Sequence, residues 1–184
     1  MTLRSLNISK EWTLFLDRDG VINHRLVDDY VKTWKDFRFL DGVLEAMKTF
    51  NHIFGKIIVV TNQQGVGKGL MKAETLEEIH RRMIFEVNDH GGRIDKIYYC
   101  PDLRASGSFN RKPQVGMGLK AKKDFSPINF KKSIMAGDSL SDMEFGKNLK
   151  MNTVWISTVE FQPMKHPRLI DFTFDSLLSF SKNL

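Results

Sequence analysis

Asp17 and Asp19 stand two residues apart at the end of the apolar run LFL, with Arg18 between them and Gly20 following. Carboxylates in this arrangement could hold a hard divalent cation through oxygen, divide nucleophilic and acid/base work between them, or do no more than end a strand, since Asp is common in turns. Other polar residues follow other apolar runs: Thr61, Asn62 and Gln63 after IIVV, and Asp138 and Ser139 after SIMAG. Lys112 lies in the segment NRKPQ. Taken singly, each has a local explanation: a strand exit for Thr61 and Asn62, a helix N-cap for Asp138, a solvated turn for Lys112. Only a fold that gathers them at one place would make them a site.

The apolar pattern supplies such a fold. WTLFL, KIIVVTN, KIYYC, SIMAG and NTVWIST are short, continuous apolar runs with the β-branched and aromatic content of buried strands. Between them lie segments of helical spacing: GVLEAMKTFNHIF, KAETLEEIHRRMIFEVNDHGG, GMGLKAKKDF and SDMEFGKNL. In the second of these Leu76, Ile79, Met83 and Val87 form one stripe, Thr75 and Glu78 have capping-box spacing, and Gly91 is a natural stop. Alternation of strand and helix predicts a doubly wound, Rossmann-like parallel sheet with helices on both faces. Ligands of such sheets sit beyond the carboxyl ends of the strands, which is where Asp17, Asp19, Thr61 and Asp138 fall. The 184 residues, without repeats or low-complexity linkers, are expected to form a single domain over 1–184.

The segments DRDGVIN, VVTNQQG, RKP and GDSLSD resemble the four signature motifs of the haloacid dehalogenase superfamily, in its phosphatase branch with an Asp-x-Asp first motif. More narrowly, DRDGVIN, TNQQGVGKG and YYCP followed by RKP resemble the D-glycero-D-manno-heptose 1,7-bisphosphate phosphatases and histidinol phosphatases, over Leu14 to about Phe174. The resemblance implies an Mg²⁺ site made by the Asp17 carboxylate, the Asp19 main-chain carbonyl and Asp138. It implies Asp17 as nucleophile, forming an aspartyl-phosphate, and Asp19 as the acid that protonates the leaving oxygen and the base that then activates water. Lys112 would pair with the phosphoryl oxygens and Thr61 would donate its hydroxyl. Asp142, one helical turn beyond Asp138, has two readings, a buttress of the site or a helix cap. A phosphate ester resists an anionic nucleophile, so such a site must supply positive charge.

The resemblance also implies substrate contacts by Arg25, Leu26, Val27 and Asp28, by Asn62, Gln63 and Gln64, and by Arg111, Lys112 and Ser139. Superfamily members often carry a cap domain, but the interval from Asn23 to Lys56 holds one loop and one helix, too little for one. An open site is expected, with Arg111 beside Lys112, and Lys68 near the rim, suited to a second phosphate. That favours a sugar bisphosphate over histidinol phosphate, which carries a cation. Family members commonly bind zinc through Cys and His between the third-strand motif and RKP. Here CPDLRASGSFNRKP offers only Cys100, so no zinc is expected, and Cys100 reads as a small apolar residue at a strand end. The five histidines show no metal-ligand spacing, although His24 lies near the first loop.

The net charge of +6 favours anionic partners of several classes, and its short clusters KAKKDF and NFKKS read as solvated surface. A small phosphorylated metabolite is the expected partner; nucleic acid is not, and neither is a membrane, since no apolar run approaches the roughly 20 residues of a spanning helix. The N-terminal MTLRSLNISKEW lacks a secretory pattern, so a cytoplasmic, monomeric protein is expected. A polynucleotide 3′-phosphatase and a non-enzymatic phosphate- or nucleic-acid-binding module are the alternatives.

Overall fold

The strands select their faces by alternation inside runs that are apolar throughout. In the computed structural model, which describes residues 3–26, 28–157 and 168–184, every position of the first strand, β1 (Thr13–Leu16), is buried. Leu14 and Leu16 point into one core cluster and Phe15 into the other. Residues Ile57 and Val59 against Ile58 and Val60 repeat the division in β2 (Lys56–Asn62). A strand buried on both faces has no polar side to show, which is why these runs are continuous.

Between β1 and β2 lies α1 (Val43–Ile53); α2 (Gln64–Gly67) and α3 (Ala73–Asp89) lead to β3 (Lys96–Cys100). Then come α4 (Gly116–Asp124), β4 (Ser133–Gly137), α5 (Leu140–Asn148), β5 (Asn152–Ile156), β6 (Phe172–Phe174) and α6 (Leu177–Lys182). The strands form one sheet in the order β3-β2-β1-β4-β5-β6, and all pairings are parallel. Buried residues of α1, α3 and α6 pack on one face, and those of α4 and α5, including Met117, Ala121, Phe145 and Leu149, on the other. Phe50 of α1 meets Phe180 of α6 with ring centroids 5.2 Å apart. Each such ring removed from water contributes roughly 1.5–3 kcal/mol.

The chain between β1 and α1 forms no separate cap among the described residues. It lies on the body of the protein, where Val31 and Phe37 are buried in the same cluster as α1. No described helix is long and apolar enough to cross a membrane.

One local expectation is corrected. Helix α3 begins at Ala73 with Lys72 at the N-cap and no side-chain cap, so Thr75 lies inside the first turn. Lys72 enters in an extended conformation (φ −83°, ψ 154°), and Glu78 pairs with Arg81 and Arg82. The stripe and the stop stand: Leu76, Ile79, Met83 and Val87 are buried, and Gly91 has φ +78°.

Candidate active site

Strand order reverses at β1, which pairs with β2 on one side and β4 on the other. The halves of the sheet wind away from each other there, leaving a crevice at the carboxyl ends. Asp17 follows β1 directly, and its amide donates to the carbonyl of Ala136 in β4 (3.0 Å). Asp138 follows β4. Two carboxylates distant in sequence therefore face each other because their strands are neighbours.

Lys112 is buried beside them. Its Nζ lies 2.8 Å from Asp17 Oδ1, 2.6 Å from Asp142 Oδ1 and 2.6 Å from the Val60 carbonyl oxygen. The ammonium donates to the Val60 carbonyl and is ion-paired with both carboxylates. Burial works against its charge, but Asp142 and Asp17 outweigh burial and hold Lys112 above its ordinary range. Asn62, at the end of β2, fixes the lysine's backbone: its Nδ2 donates to the Lys112 carbonyl (3.0 Å), and its Oδ1 accepts the Lys112 amide (3.0 Å). The carboxamide expected to reach substrate lines the cleft and also holds Lys112.

Asp19 sits in a cage of donors. Arg18 Nη2 lies 2.8 and 2.9 Å from its two oxygens, Asn23 Nδ2 donates to Oδ1 (2.9 Å) and Gln63 Nε2 to Oδ2 (2.7 Å). Gln63 also donates to Thr61 Oγ1 (2.9 Å), which leaves the hydroxyl proton of Thr61 to donate elsewhere. Burial raises the Asp19 pKa, but Arg18 and the amide donors prevail and lower it. Arg18 also shapes the turn through its backbone, its carbonyl accepting from Val21, Ile22 and Asn23.

Asp138 Oδ1 pairs with Arg25 Nη2 at 3.1 Å. Carboxylate oxygens of Asp17, Asp138 and Asp142 lie within 4.8 Å of one another. Burial, then Asp142, push Asp17 up to about 6; burial, then Asp17 and Asp142, push Asp138 up to about 8. Each of these two carboxylates is raised by the charge of its neighbours, so together they share a place where negative charge is held unfavourably. Asp142 is engaged at both oxygens: Oδ1 is ion-paired with Lys112, and Oδ2 accepts from the Ser139 amide (3.1 Å) and hydroxyl (2.6 Å). It pairs with the lysine and is at the same time the capping-box partner of α5. Asp17 and Asp138 remain, an all-oxygen anionic pair that fits a hard cation such as Mg²⁺.

Gly20 permits the approach. It has φ +87°, and a Cβ there would lie 2.0 Å from Asp138 Oδ2.

A cleft of about 260 Å³ opens above these groups, lined also by Arg25, Leu26, Thr61, Gln63, Gln64, Arg111 and Ser139. The Ser139 hydroxyl is engaged in the cap. Arg111 Nη1 is anchored on the Asp102 carbonyl (3.0 Å). Asp28 is exposed, with φ +55°, and does not line the cleft; Val27 lies outside the described residues. Several residues here are not among those expected from the sequence, and three bear on the chemistry. Tyr30 lines the cleft, its hydroxyl accepting from Gln64 Nε2 (2.9 Å) and Lys68 Nζ (3.0 Å). The Arg18 side chain and His80, whose Nε2 lies 3.1 Å from Arg18 Nη1, are the others. An imidazole on the apolar stripe of α3 is the one sequence signal of the last.

A doubly wound parallel sheet with an Asp-x-Asp pair, a lysine and a further Asp at its switch point defines a phosphatase of the haloacid dehalogenase superfamily. Residues 14–167 match the family model described as polynucleotide kinase 3 phosphatase. The chain is 39% identical over 174 residues to the D-glycero-alpha-D-manno-heptose-1,7-bisphosphate 7-phosphatase of Mycobacterium tuberculosis, covering 93% of this chain and 90% of that one. It is 41% identical over 145 residues to the enzyme of the same name from Campylobacter jejuni, covering 79% and 81%. The crystal structure of D,D-heptose 1,7-bisphosphate phosphatase from B. bronchiseptica, complexed with magnesium and phosphate, superposes with a TM-score of 0.82 at 25% identity, covering 93% and 96%. The chain belongs to this family of haloacid dehalogenase phosphatases, together with the heptose bisphosphate 7-phosphatases.

Proposed function

We propose that the protein is an Mg²⁺-dependent phosphatase acting on a sugar bisphosphate, with D-glycero-D-manno-heptose 1,7-bisphosphate as first candidate and the 7-phosphate as the ester cleaved. The observation that carries the reading is Lys112 joining Asp17 to Asp142 opposite Asp138. The names of the relatives support the substrate, as do Arg25 and Arg111 along the cleft, two guanidiniums suited to an anionic sugar.

Mg²⁺, held by Asp17 and Asp138 with the Asp19 main chain, would offset the negative charge of the phosphoryl oxygens. Asp17 attacks phosphorus and the ester P–O bond breaks, leaving phosphate on the Asp17 carboxylate. Lys112 and the Thr61 hydroxyl hold the phosphoryl oxygens. Asp19, protonated once a phosphate dianion is bound beside it, gives its proton to the departing sugar oxygen. The resulting carboxylate takes a proton from water, whose oxygen attacks phosphorus, and the bond to Asp17 breaks to release phosphate. The reading has the chain working as a monomeric single domain in the cytoplasm, on a precursor of lipopolysaccharide or a related glycan.

Phosphate release from both heptose bisphosphate anomers, histidinol phosphate and a 3′-phosphorylated oligonucleotide at equal concentration tests the proposal. Expected are highest kcat/KM on a heptose bisphosphate, arrest by EDTA, recovery with Mg²⁺, and no turnover in Asp17→Asn. Preference for the oligonucleotide would replace the sugar with a nucleic-acid end, in line with the family model and the basic charge. Turnover by Asp17→Asn would remove the nucleophile assignment.

A further inference from the structure

Outside the groups that face substrate, the strongest unexplained feature is a buried polar chain running from α3 to the first loop. The Arg18 side chain is 1% exposed. Its Nε and Nη2 edge meets the Asp19 carboxylate, and its remaining Nη1 meets His80 Nε2 at 3.1 Å. A guanidinium only donates, so His80 Nε2 must present its lone pair and the ring proton must sit on Nδ1. Burial, and then the Arg18 charge, keep the imidazole neutral. The ring is itself held edge-on against Tyr99 of β3, with centroids 5.8 Å apart. His80 shares its helix face with Leu76, Ile79, Met83 and Val87, all buried, so its position is set by the packing of α3 on the sheet.

We propose that His80 is a positioning residue for Asp19, acting through Arg18. The proposal rests on the reading of Asp19 as acid and base. Asp19 can rotate about its side-chain bonds unless its oxygens are held, and a proton donor must lie within hydrogen-bond reach of the departing oxygen. Asn23 and Gln63 each hold one oxygen, and Arg18 alone holds both, from one planar fork that is carried on a flexible stem. The imidazole acceptor fixes the third corner of that plane, and α3 thereby sets the direction of a carboxylate 61 residues away in the chain. His80 is not among the residues that line the cleft and its polar contact is to Arg18, so its effect is expected on proton transfer rather than on binding.

The test compares kcat/KM, which reports the step that expels the leaving group, for a sugar phosphate and for p-nitrophenyl phosphate, whose phenolate leaves without an acid. In His80→Phe, which keeps ring volume and removes the acceptor, kcat/KM for the sugar phosphate is expected to fall about tenfold or more, and that for p-nitrophenyl phosphate by less than about threefold. His80→Gln, whose amide oxygen can accept from Arg18, is expected to restore most of the difference. KM is expected to stay near that of the parent protein in both. Equal losses on the two substrates, or no rescue by Gln, would overturn the proposal. If His80→Phe fails to fold, the same comparison in His80→Asn, whose shorter amide falls short of Arg18, replaces it. Asp19→Asn separates the two layers. If its rate of leaving-group release in a single turnover, before water is needed, falls equally for both substrates, the acid assignment itself falls; if that rate falls chiefly for the sugar phosphate while in His80→Phe it does not, only the positioning role falls.

Discussion

Asn62 holds Lys112 by its main chain: one carboxamide bonds both the amide and the carbonyl of the lysine across 50 residues of sequence. The Asn62 side chain thereby fixes the start of a side chain whose ammonium must reach Asp17, Asp142 and Val60 together. A flexible stem anchored at its root loses less freedom on reaching its targets.

Asn62→Ala removes both bonds and leaves two backbone groups unpaired. A loss of about 1–3 kcal/mol of stability and a fall in kcat of about 10–100-fold are expected, with Asp17 and Asp142 still present. Thermal unfolding and steady-state kinetics on one preparation read both. Unchanged kcat would mean that the ammonium finds its place without the clamp.

Gly20→Ala carries two penalties. The positive φ costs about 1–2 kcal/mol for a residue with a Cβ, and that Cβ would meet Asp138 Oδ2 at 2.0 Å. Displacement of Asp138 should raise the Mg²⁺ concentration needed for half-maximal activity by about tenfold or more. Gly69→Ala is the control, since Gly69 has φ +70° and a Cβ there would meet nothing within 4 Å. It should lose only the part of the stability that the positive φ costs and keep its Mg²⁺ requirement; a matching shift in Gly69→Ala would assign the effect to backbone strain alone.

His80 makes stability depend on acidity. Burial, then Arg18, push its pKa down to about 3 from 6.5. Between those values the unfolded chain binds a proton that the folded chain refuses, so stability falls as pH falls through 6.5, by at most about 1.4 kcal/mol per pH unit. His80→Gln has no proton to gain. Its unfolding midpoint should decline less between pH 6.5 and pH 4 than that of the parent protein, and parallel curves would show that His80 does not contribute.

Much of the fold was legible because two-sided burial writes continuous apolar runs into the strands, and the alternation of strand with helix leaves few ways to connect them. The location of the candidate site followed from the same pattern, since a parallel sheet gathers its ligands at one edge. Thr75 shows where local pattern fails. A capping box depends on where the chain turns into the helix, and the extended entry at Lys72 starts α3 before Thr75 can cap it.

What the sequence determined by itself was therefore which residue types stand at strand ends: Asp17, Asp19, Thr61 and Asp138, with Lys112 in a turn. Side-chain commitments were decided only in the tertiary structure. Asn62 and Ser139, expected as substrate contacts, line the cleft, and one also clamps Lys112 while the other caps α5. Asp142 serves the lysine and the cap together, and Arg18 turns inward to join Asp19 to His80. Hydrogen bonds between side chains depend on distances set by packing, and residues 50 or more apart carry no mark of meeting until the sheet and its helices bring them within 3 Å or so of one another.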